Sequence, residues 1–184
     1  MGTNFGSDLI VLSETQTATN YHGSWMKFDL SSLTGQTVTS AQLQLTSVFN
    51  HSSTAINHVV YSSSDDSWSE GTVSGLNQPS DATLTSLDTV SIPNVNGVYS
   101  WDVLSAVNGP DGADGTLTLF IRPETYPVAV TRGPHFNSKE AGVSIPTLTL
   151  FTTASAVPEP GVMPAIVGFS IVAAGFISRR IRRK

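Results

Sequence analysis

Strict alternation of apolar and polar side chains is the feature that most restricts how this chain can fold. In WMKFDL (25–30), Met26, Phe28 and Leu30 fall on one side of an extended backbone, and the other three residues, Trp25, Lys27 and Asp29, fall on the other. AQLQL (41–45) repeats the pattern. A period of two residues is that of a strand with one buried face. The chain is therefore predicted to be built from half-buried β-strands.

Further short strands are predicted along the chain, separated by turns rich in Gly, Ser, Asn, Asp and Pro. Their sequences are DLIVL (8–12), INHVVYS (56–62), VYSWDVL (98–104), TLTLFIR (116–122) and IPTLTLF (145–151). Many short strands at turn-separated intervals are typical of two antiparallel sheets that bury one face each. The predicted fold class is all-β, with one antiparallel β-sandwich of jelly-roll type over residues 1–153 of the 184.

Charge divides the chain into two unequal parts. Residues 1–156 carry four basic side chains against 13 acidic ones, a net charge of −9, whereas the last six residues hold five basic side chains and no acid. An acidic body is a poor match for nucleic acid, because neutralising phosphates requires clustered Lys and Arg. The chain has no cysteine, which excludes disulfides, thiolate metal sites and a cysteine nucleophile.

The C-terminal segment reads as a linker, a membrane span and a basic end. Small residues and two prolines make residues 154–160 a linker. Residues 161–178 are predicted to form one transmembrane helix, since 17 uncharged residues from Gly161 can span about 25 Å. Residues 179–184 would then stay cytoplasmic, as basic residues beside a span do. The alternative is a buried helix, but a helix that is apolar all round needs a core on every side.

This tail resembles the PEP-CTERM sorting signal of Gram-negative bacteria over residues 156–184. The resemblance is carried by Pro158, Glu159 and Pro160, then the apolar run, then Arg179 and Arg180. It implies export, recognition by an exosortase-type membrane protease, and removal of the helix. It also implies a location in the cell envelope, at the surface or in the extracellular matrix, often beside exopolysaccharide.

The body, residues 3–151, resembles the secreted bacterial β-sandwich domains called DNRLRE or disaggregatase-related domains. The resemblance rests on KFDL (27–30), the apolar positions of AQLQL (41–45), DSWSE (66–70) and SKE (138–140). Some members are treated as carbohydrate-binding modules, which implies a similar role here. Because such domains have an earlier strand and exported proteins have a signal peptide, we expect both to precede Met1.

Two kinds of ligand contact are suggested by the residue types. Trp68, Trp25 and Trp101, together with Tyr61, Tyr99 and Tyr126, can offer flat rings on which sugars stack; the alternative is packing inside the fold. The acidic pairs Asp65–Asp66 and Asp111/Asp114 can supply oxygen ligands to a structural calcium ion, although Asp-Gly clusters are also ordinary turn formers. No other cofactor is predicted.

No pattern in the sequence predicts an enzyme. The four histidines have no metal-ligand spacing, and no serine stands in a nucleophile motif. A pair of carboxylates for glycoside hydrolysis would meet only in three dimensions. The sequence therefore favours an exported surface or matrix protein that binds polysaccharide or another envelope component. The alternatives are a purely structural matrix protein and a polysaccharide-acting enzyme.

Overall fold

The computed structural model describes residues 7–17, 20–74, 77–125, 133–154, 166–172 and 175–182. Within these residues the chain forms twelve strands, one short helix and four 3₁₀ turns. The strands are β1 Ile10–Leu12, β2 Glu14–Thr17, β3 Asn20–Asp29, β4 Gln36–Asn50, β5 Ile56–Ser63, β6 Leu84–Ile92, β7 Gly97–Asp102, β8 Thr116–Pro123, β9 Pro134–Asn137, β10 Thr147–Ala154, β11 Ile166–Val172 and β12 Gly175–Arg182. The helix is α1 Leu104–Val107, and the 3₁₀ turns are Ser31–Leu33, Asp81–Thr83, Pro110–Gly112 and Lys139–Ala141.

The strands form two six-stranded sheets in which every pairing is antiparallel. Sheet A has the order β1-β9-β4-β10-β11, and β7 also pairs with β4. Sheet B has the order β12-β3-β8-β5-β6, with β2 paired to the start of β3. The prediction of an all-β fold made of two antiparallel sheets is thus confirmed. The jelly-roll arrangement stays a prediction, as does the boundary at residue 153.

The main core lies between the two sheets and is the one that the alternation predicts. Met26 and Phe28 of β3 are fully buried, and so are Leu43 and Leu45 of β4. Other buried members come from both sheets, which therefore pack face to face. They include Val11, Val38, Ala41, Trp101, Phe136, Leu148 and Leu150 from sheet A and Val60, Ile92, Leu117, Leu119 and Ile121 from sheet B.

The structure differs from the prediction of a helix over residues 161–178. Residues 166–172 form β11 on the edge of β10, and β12 pairs with β3 from Gly175 to Arg182. Strand propensity explains the difference, because this run is rich in Ile, Val and Phe and is interrupted by glycine, which weakens a helix interior. No helix among the described residues is long and apolar enough to cross a membrane.

Gly23 of β3 allows the close approach of the Phe120 ring from β8. A Cβ atom built on Gly23 would lie 2.3 Å from Phe120 Cζ and 2.9 Å from the Ile121 carbonyl oxygen. Gly23→Ala is therefore expected to lower the free energy of unfolding by about 1–3 kcal/mol through overpacking, as measured by urea denaturation. Gly97→Ala is the matched control, since nothing lies within 4 Å of its Cβ position. Equal stability of the two variants would contradict this packing.

Candidate functional site

The three tryptophans that the sequence offered as sugar contacts all lie in the interior. Trp25 and Trp101 are 0% exposed and Trp68 is 6% exposed. Their indole N–H groups donate within the protein, Trp101 to the His58 carbonyl at 3.0 Å and Trp68 to Thr118 Oγ1 at 3.0 Å. In this structure none of the three presents a free ring face, so the alternative of internal packing accounts for them.

A loop covers the outer face of sheet B, which explains the burial of two of these rings. Trp68 and Val73, from the covering loop (residues 64–74 and 77–83), pack on Tyr21 and Trp25 of β3 and on Phe120 of β8. The Trp25 and Phe120 rings stack with centroids 4.4 Å apart. A second small core therefore occupies the part of this face that β3 and β8 form.

Lys27 fastens the covering loop to β3. Its Nζ donates to the Asp66 carbonyl at 2.7 Å and to the Trp68 carbonyl, and it lies 4.6 Å from the centroid of the Trp68 ring. A second link joins Lys139 Nζ to Glu70 Oε2 at 2.6 Å. Lys27 and the DSWSE segment, which carried part of the resemblance, therefore hold the fold together.

The acidic residues proposed for calcium are partly brought together. Asp66 has a raised pKa, chiefly because burial disfavours its charge, and the nearby carboxylates of Asp114 and Asp111 add to the effect. Asp66 Oδ1 is buried without a hydrogen-bond partner. Asp65 instead accepts hydrogen bonds from Ser67, which lower its pKa. The described residues contain no group of three or more His, Cys, Asp or Glu able to hold a metal, and the calcium ion stays a prediction.

Three aspartates, including Asp114 of the proposed calcium set, accept hydrogen bonds in local turns. Asp29 accepts from the Ser31 backbone N–H at 2.8 Å, Asp102 from that of Leu104 at 2.9 Å, and Asp114 from that of Thr116 at 2.9 Å. Each of these contacts spans two residues in sequence, which is the usual behaviour of aspartate at a turn. These roles are structural and need no catalytic explanation.

Among the described residues, the outer face of sheet A is open, and polar side chains line it in two cross-strand rows. Because Ala41, Leu43 and Leu45 point into the core, Gln42 and Gln44 point outward. The register places the rows at right angles to β4. The first row is Asp102, Gln42 and Thr149, and the second is Ser100, Gln44 and Thr147.

Two phenylalanines, each beside a β-bulge, stand at opposite ends of this face. Phe49 is 50% exposed and Phe151 is 46% exposed. The pairing of β4 with β9 shifts register between Ser47 and Phe49, and the pairing of β4 with β10 shifts just after Phe151. At the first shift two consecutive residues, Val48 and Phe49, both face solvent. A bulge of this kind re-aims a side chain, here an aromatic ring, onto the open face.

Imidazole rings support Phe49. The Phe49 ring lies 4.5 Å from that of His51 and 5.5 Å from that of His135, between centroids, in edge-on arrangements. His51 and His135 are themselves 4.8 Å apart. These contacts restrict the motion of the Phe49 ring while half of the side chain stays accessible.

Sequence reasoning missed both phenylalanines, for different reasons. Phe151 lies on the threonine side of IPTLTLF, so its outward direction was readable from the alternation. Phe49 had no such signal, because continuing the alternation from Leu45 would bury it. Of the tyrosines considered, Tyr61 is half-buried and offers no platform, Tyr99 donates its hydroxyl to the Val95 carbonyl at 2.6 Å, and Tyr126 lies outside the described residues.

Comparison with known families adds evidence on the class of the domain. The model of carbohydrate-binding module family 96 matches residues 1–152. The chain belongs to this family. A search among curated proteins finds no significant match.

Membership of carbohydrate-binding module family 96 supports a carbohydrate-binding β-sandwich and a binding rather than a catalytic domain. The match ends close to the end of β10 and so covers both sheets except β11 and β12. An open sheet face with amides, hydroxyls and exposed aromatic rings suits the family, because sugars combine apolar C–H faces with a rim of hydroxyl groups. Of the sorting motif, Pro158, Glu159 and Pro160 lie outside the described residues, and Arg179 and Arg180 lie in β12.

Proposed function

We propose that this chain binds polysaccharide through the outer face of sheet A. The observation that carries the proposal is that a loop covers β3 and β8 on the outer face of sheet B, whereas among the described residues the outer face of sheet A is open and holds Phe49. The match to carbohydrate-binding module family 96 supports the class of ligand. The protein acts by holding the glycan and performs no chemistry on it.

The proposed contacts are derived from the chemistry of each side chain. The Phe49 ring stacks on the C–H face of a sugar and removes apolar surface from water. The amides of Gln42 and Gln44 offer both donors and acceptors, which match sugar hydroxyls that also do both. The Thr149 hydroxyl already donates to Gln44 Oε1 at 3.3 Å, which orients that amide before any ligand arrives. Preorganisation on a rigid sheet reduces the entropy lost on binding.

The test is binding of the full chain to a panel of soluble polysaccharides by affinity electrophoresis, followed by titration calorimetry of those that retard it. Phe49→Ala is expected to weaken binding about tenfold or more, the equivalent of one stacking contact of about 1.4 kcal/mol. Val143→Ala is the control, since Val143 is also exposed, at 68%, but lies outside both sheets. Unchanged affinity in Phe49→Ala would refute this site. Retardation by no polysaccharide would favour a structural matrix protein, and release of products would favour an enzyme.

We also propose that the tail directs export and anchoring. The support is the order of Pro158, Glu159 and Pro160, an uncharged run and a basic end, which resembles a PEP-CTERM sorting signal. On this proposal the uncharged run enters the inner membrane before processing, and an exosortase-type protease releases the body to the envelope, surface or extracellular matrix. Exopolysaccharide present there is a candidate ligand for the body.

Glu159→Ala and deletion of residues 179–184 are expected to block processing and retain the precursor at the membrane. Both are followed in a Gram-negative host with an exosortase, using antibody against the body and cell fractionation. Asp8→Ala, which changes an acidic residue far from the tail, is the matched control. Normal processing and location of both tail variants would refute the sorting role without affecting the polysaccharide proposal.

A further inference from the structure

We propose that the connection between β6 and β7, residues 93–96, supports the β-bulge of β4 and thereby holds Phe49 in place for a glycan. We call residues 93–96 the brace. In this role Asn96 is a positioning residue, which acts on binding through Phe49. The inference rests on the proposed polysaccharide-binding function and adds how its aromatic contact is positioned. Its basis is a set of hydrogen bonds on either side of the bulge.

The bulge leaves Val48 without a partner in the strand ladders. The pairing of β4 with β9 passes from Ser47 directly to Phe49, so Val48 is the extra residue. The pairing of β4 with β7 ends at Ser47, opposite Gly97. An extra residue interrupts the ladder and lets the strand bend. The direction of Phe49 therefore depends on what holds the bulge.

Asn96 supplies the contact that the ladder lacks at this point. It directly precedes Gly97, the first residue of β7, and its Nδ2 donates to the Val48 carbonyl at 2.8 Å. Both residues are exposed, so water can satisfy this carbonyl as well. The hydrogen bond therefore adds little to the stability of the fold. Its main effect is to fix the bulged backbone next to Phe49.

A second hydrogen bond ties the other side of Phe49 to the brace. Asn50 is 9% exposed, and its Nδ2 donates to the Pro93 carbonyl at 3.0 Å. Its Oδ1 accepts from the Ser52 backbone N–H at 2.8 Å, which keeps the amide oriented. The residues before and after Phe49 are thus both fastened to the brace. A side chain between two fixed backbone positions keeps its direction on the open face.

The brace is itself fixed to the core. The Val95 backbone N–H donates to the Pro93 carbonyl at 2.7 Å, which closes a three-residue turn, and the proline ring restricts the backbone further. Tyr99 packs against the main core and donates its hydroxyl to the Val95 carbonyl at 2.6 Å. The brace therefore connects the bulge to the packed interior of the sandwich.

Fixing the Phe49 ring before binding reduces the entropy lost on binding. A side chain that must be ordered when a glycan arrives weakens binding severalfold, compared with one that is already in place. The rings of His51 and His135 contact the Phe49 ring, and the brace holds the backbone that carries it. Loss of the brace should therefore reduce affinity while the Phe49 ring itself is still present.

The role of Asn96 is tested with a double-mutant cycle on the full chain. The probe is whichever of arabinoxylan, galactomannan, hydroxyethyl cellulose, polygalacturonate and dextran sulfate retards the chain most. Asn96→Ala is expected to raise the Kd about threefold in the wild type, and by less than about 1.5-fold in the Phe49→Ala background. Asn94→Ala is the matched control and should leave the Kd unchanged. Asn94 is an exposed asparagine of the same connection, and its side chain has no hydrogen bond within the described part of the chain.

The outcomes distinguish failure of the brace from failure of the binding function. An equal effect of Asn96→Ala in the wild type and in the Phe49→Ala background would overturn the inference and leave polysaccharide binding intact. So would an unchanged Kd in Asn96→Ala when Phe49→Ala weakens binding. Binding of none of the five polymers, or an affinity unaffected by Phe49→Ala, would instead overturn the proposed function.

Proton nuclear magnetic resonance of the protein without polymer gives a readout that is independent of binding. Nuclear Overhauser contacts between the Phe49 ring and the rings of His51 and His135 are expected in the wild type and in Asn94→Ala. They should weaken in Asn96→Ala, although its urea denaturation midpoint should shift little because the lost hydrogen bond is exposed. Contacts of wild-type strength in Asn96→Ala would overturn the positioning role.

Discussion

Replacement of Trp101 by alanine is expected to lower the free energy of unfolding by about 3–5 kcal/mol, the range for deleting a large buried aromatic side chain. Trp101 is fully buried in β7, packs edge-on against Phe136 with centroids 6.2 Å apart, and donates to the His58 carbonyl at 3.0 Å. The substitution leaves both a cavity and a buried carbonyl without its donor.

Val98→Ala is the matched control for Trp101, because Val98 lies on the opposite face of the same strand and is 62% exposed. It should change the free energy of unfolding by no more than about 0.5 kcal/mol. Urea denaturation of the two variants at neutral pH makes the comparison. A Trp101→Ala variant as stable as the wild type would show that this ring is not part of the core. Trp101 would then again be a candidate sugar contact.

Lowering the pH is expected to lower the free energy of unfolding through His58, and this is the second of the two largest effects we expect. His58 is fully buried, and its Nδ1 and Nε2 lie 3.0 and 2.9 Å from the carbonyl oxygens of Ile56 and Ser13. Burial disfavours the charged ring and lowers the pKa of His58 to about 4, against the opposing effect of the two carbonyls. The unfolded chain binds a proton near pH 6.5 and the folded chain does not.

The stability contributed by neutral His58 is therefore present above pH 6.5 and is lost as the pH falls to about 4. The loss attributable to this group is about 3 kcal/mol. Free energies of unfolding measured across this range should fall less steeply for His58→Gln than for the wild type. Ser91→Ala, at an exposed and uncharged position of the neighbouring strand β6, is the control and should keep the wild-type slope. Equal slopes for the wild type and His58→Gln would contradict the burial of a neutral imidazole.

Local pattern was enough to predict the core between the sheets. The alternation in β3 and β4 identified Met26, Phe28, Leu43 and Leu45, because side-chain direction in a strand depends only on position parity. The same parity placed Trp25 on the opposite face of β3, which was correct. That this face is also buried depends on Trp68, 43 residues later, folding over it. Such a long-range contact cannot be predicted from the local sequence.

The open face could be predicted only in part. Gln42, Gln44, Thr147 and Thr149 alternate with apolar residues and were readable as outward-facing. The exposure of Phe49 could not be read, because a one-residue bulge at Val48 reverses the parity of the residues after it. Whether a loop covers the outer face of a sheet depends on long-range contacts in the folded chain, so it could not be predicted from local sequence.

The apolar run of the tail is compatible with both a membrane helix and a β-strand. Residues 161–178 satisfy the length and hydropathy of a membrane helix, yet their Ile, Val and Phe content also suits a strand. The choice depends on surroundings, since a helix satisfies its own backbone, whereas a strand needs an edge to pair with. In the structure β10 and β3 supply those edges.

The central claim is that polysaccharide binds the outer face of sheet A, and mapping by nuclear magnetic resonance tests it most directly. Backbone amide chemical shifts of the full chain are recorded while the polymer that retards it in affinity electrophoresis is added. The largest changes are expected in β4, β7 and β10, with Phe49 and its neighbours among them and little change in the covering loop. Changes centred on Trp68 and the covering loop, with β4 unaffected, would contradict the account.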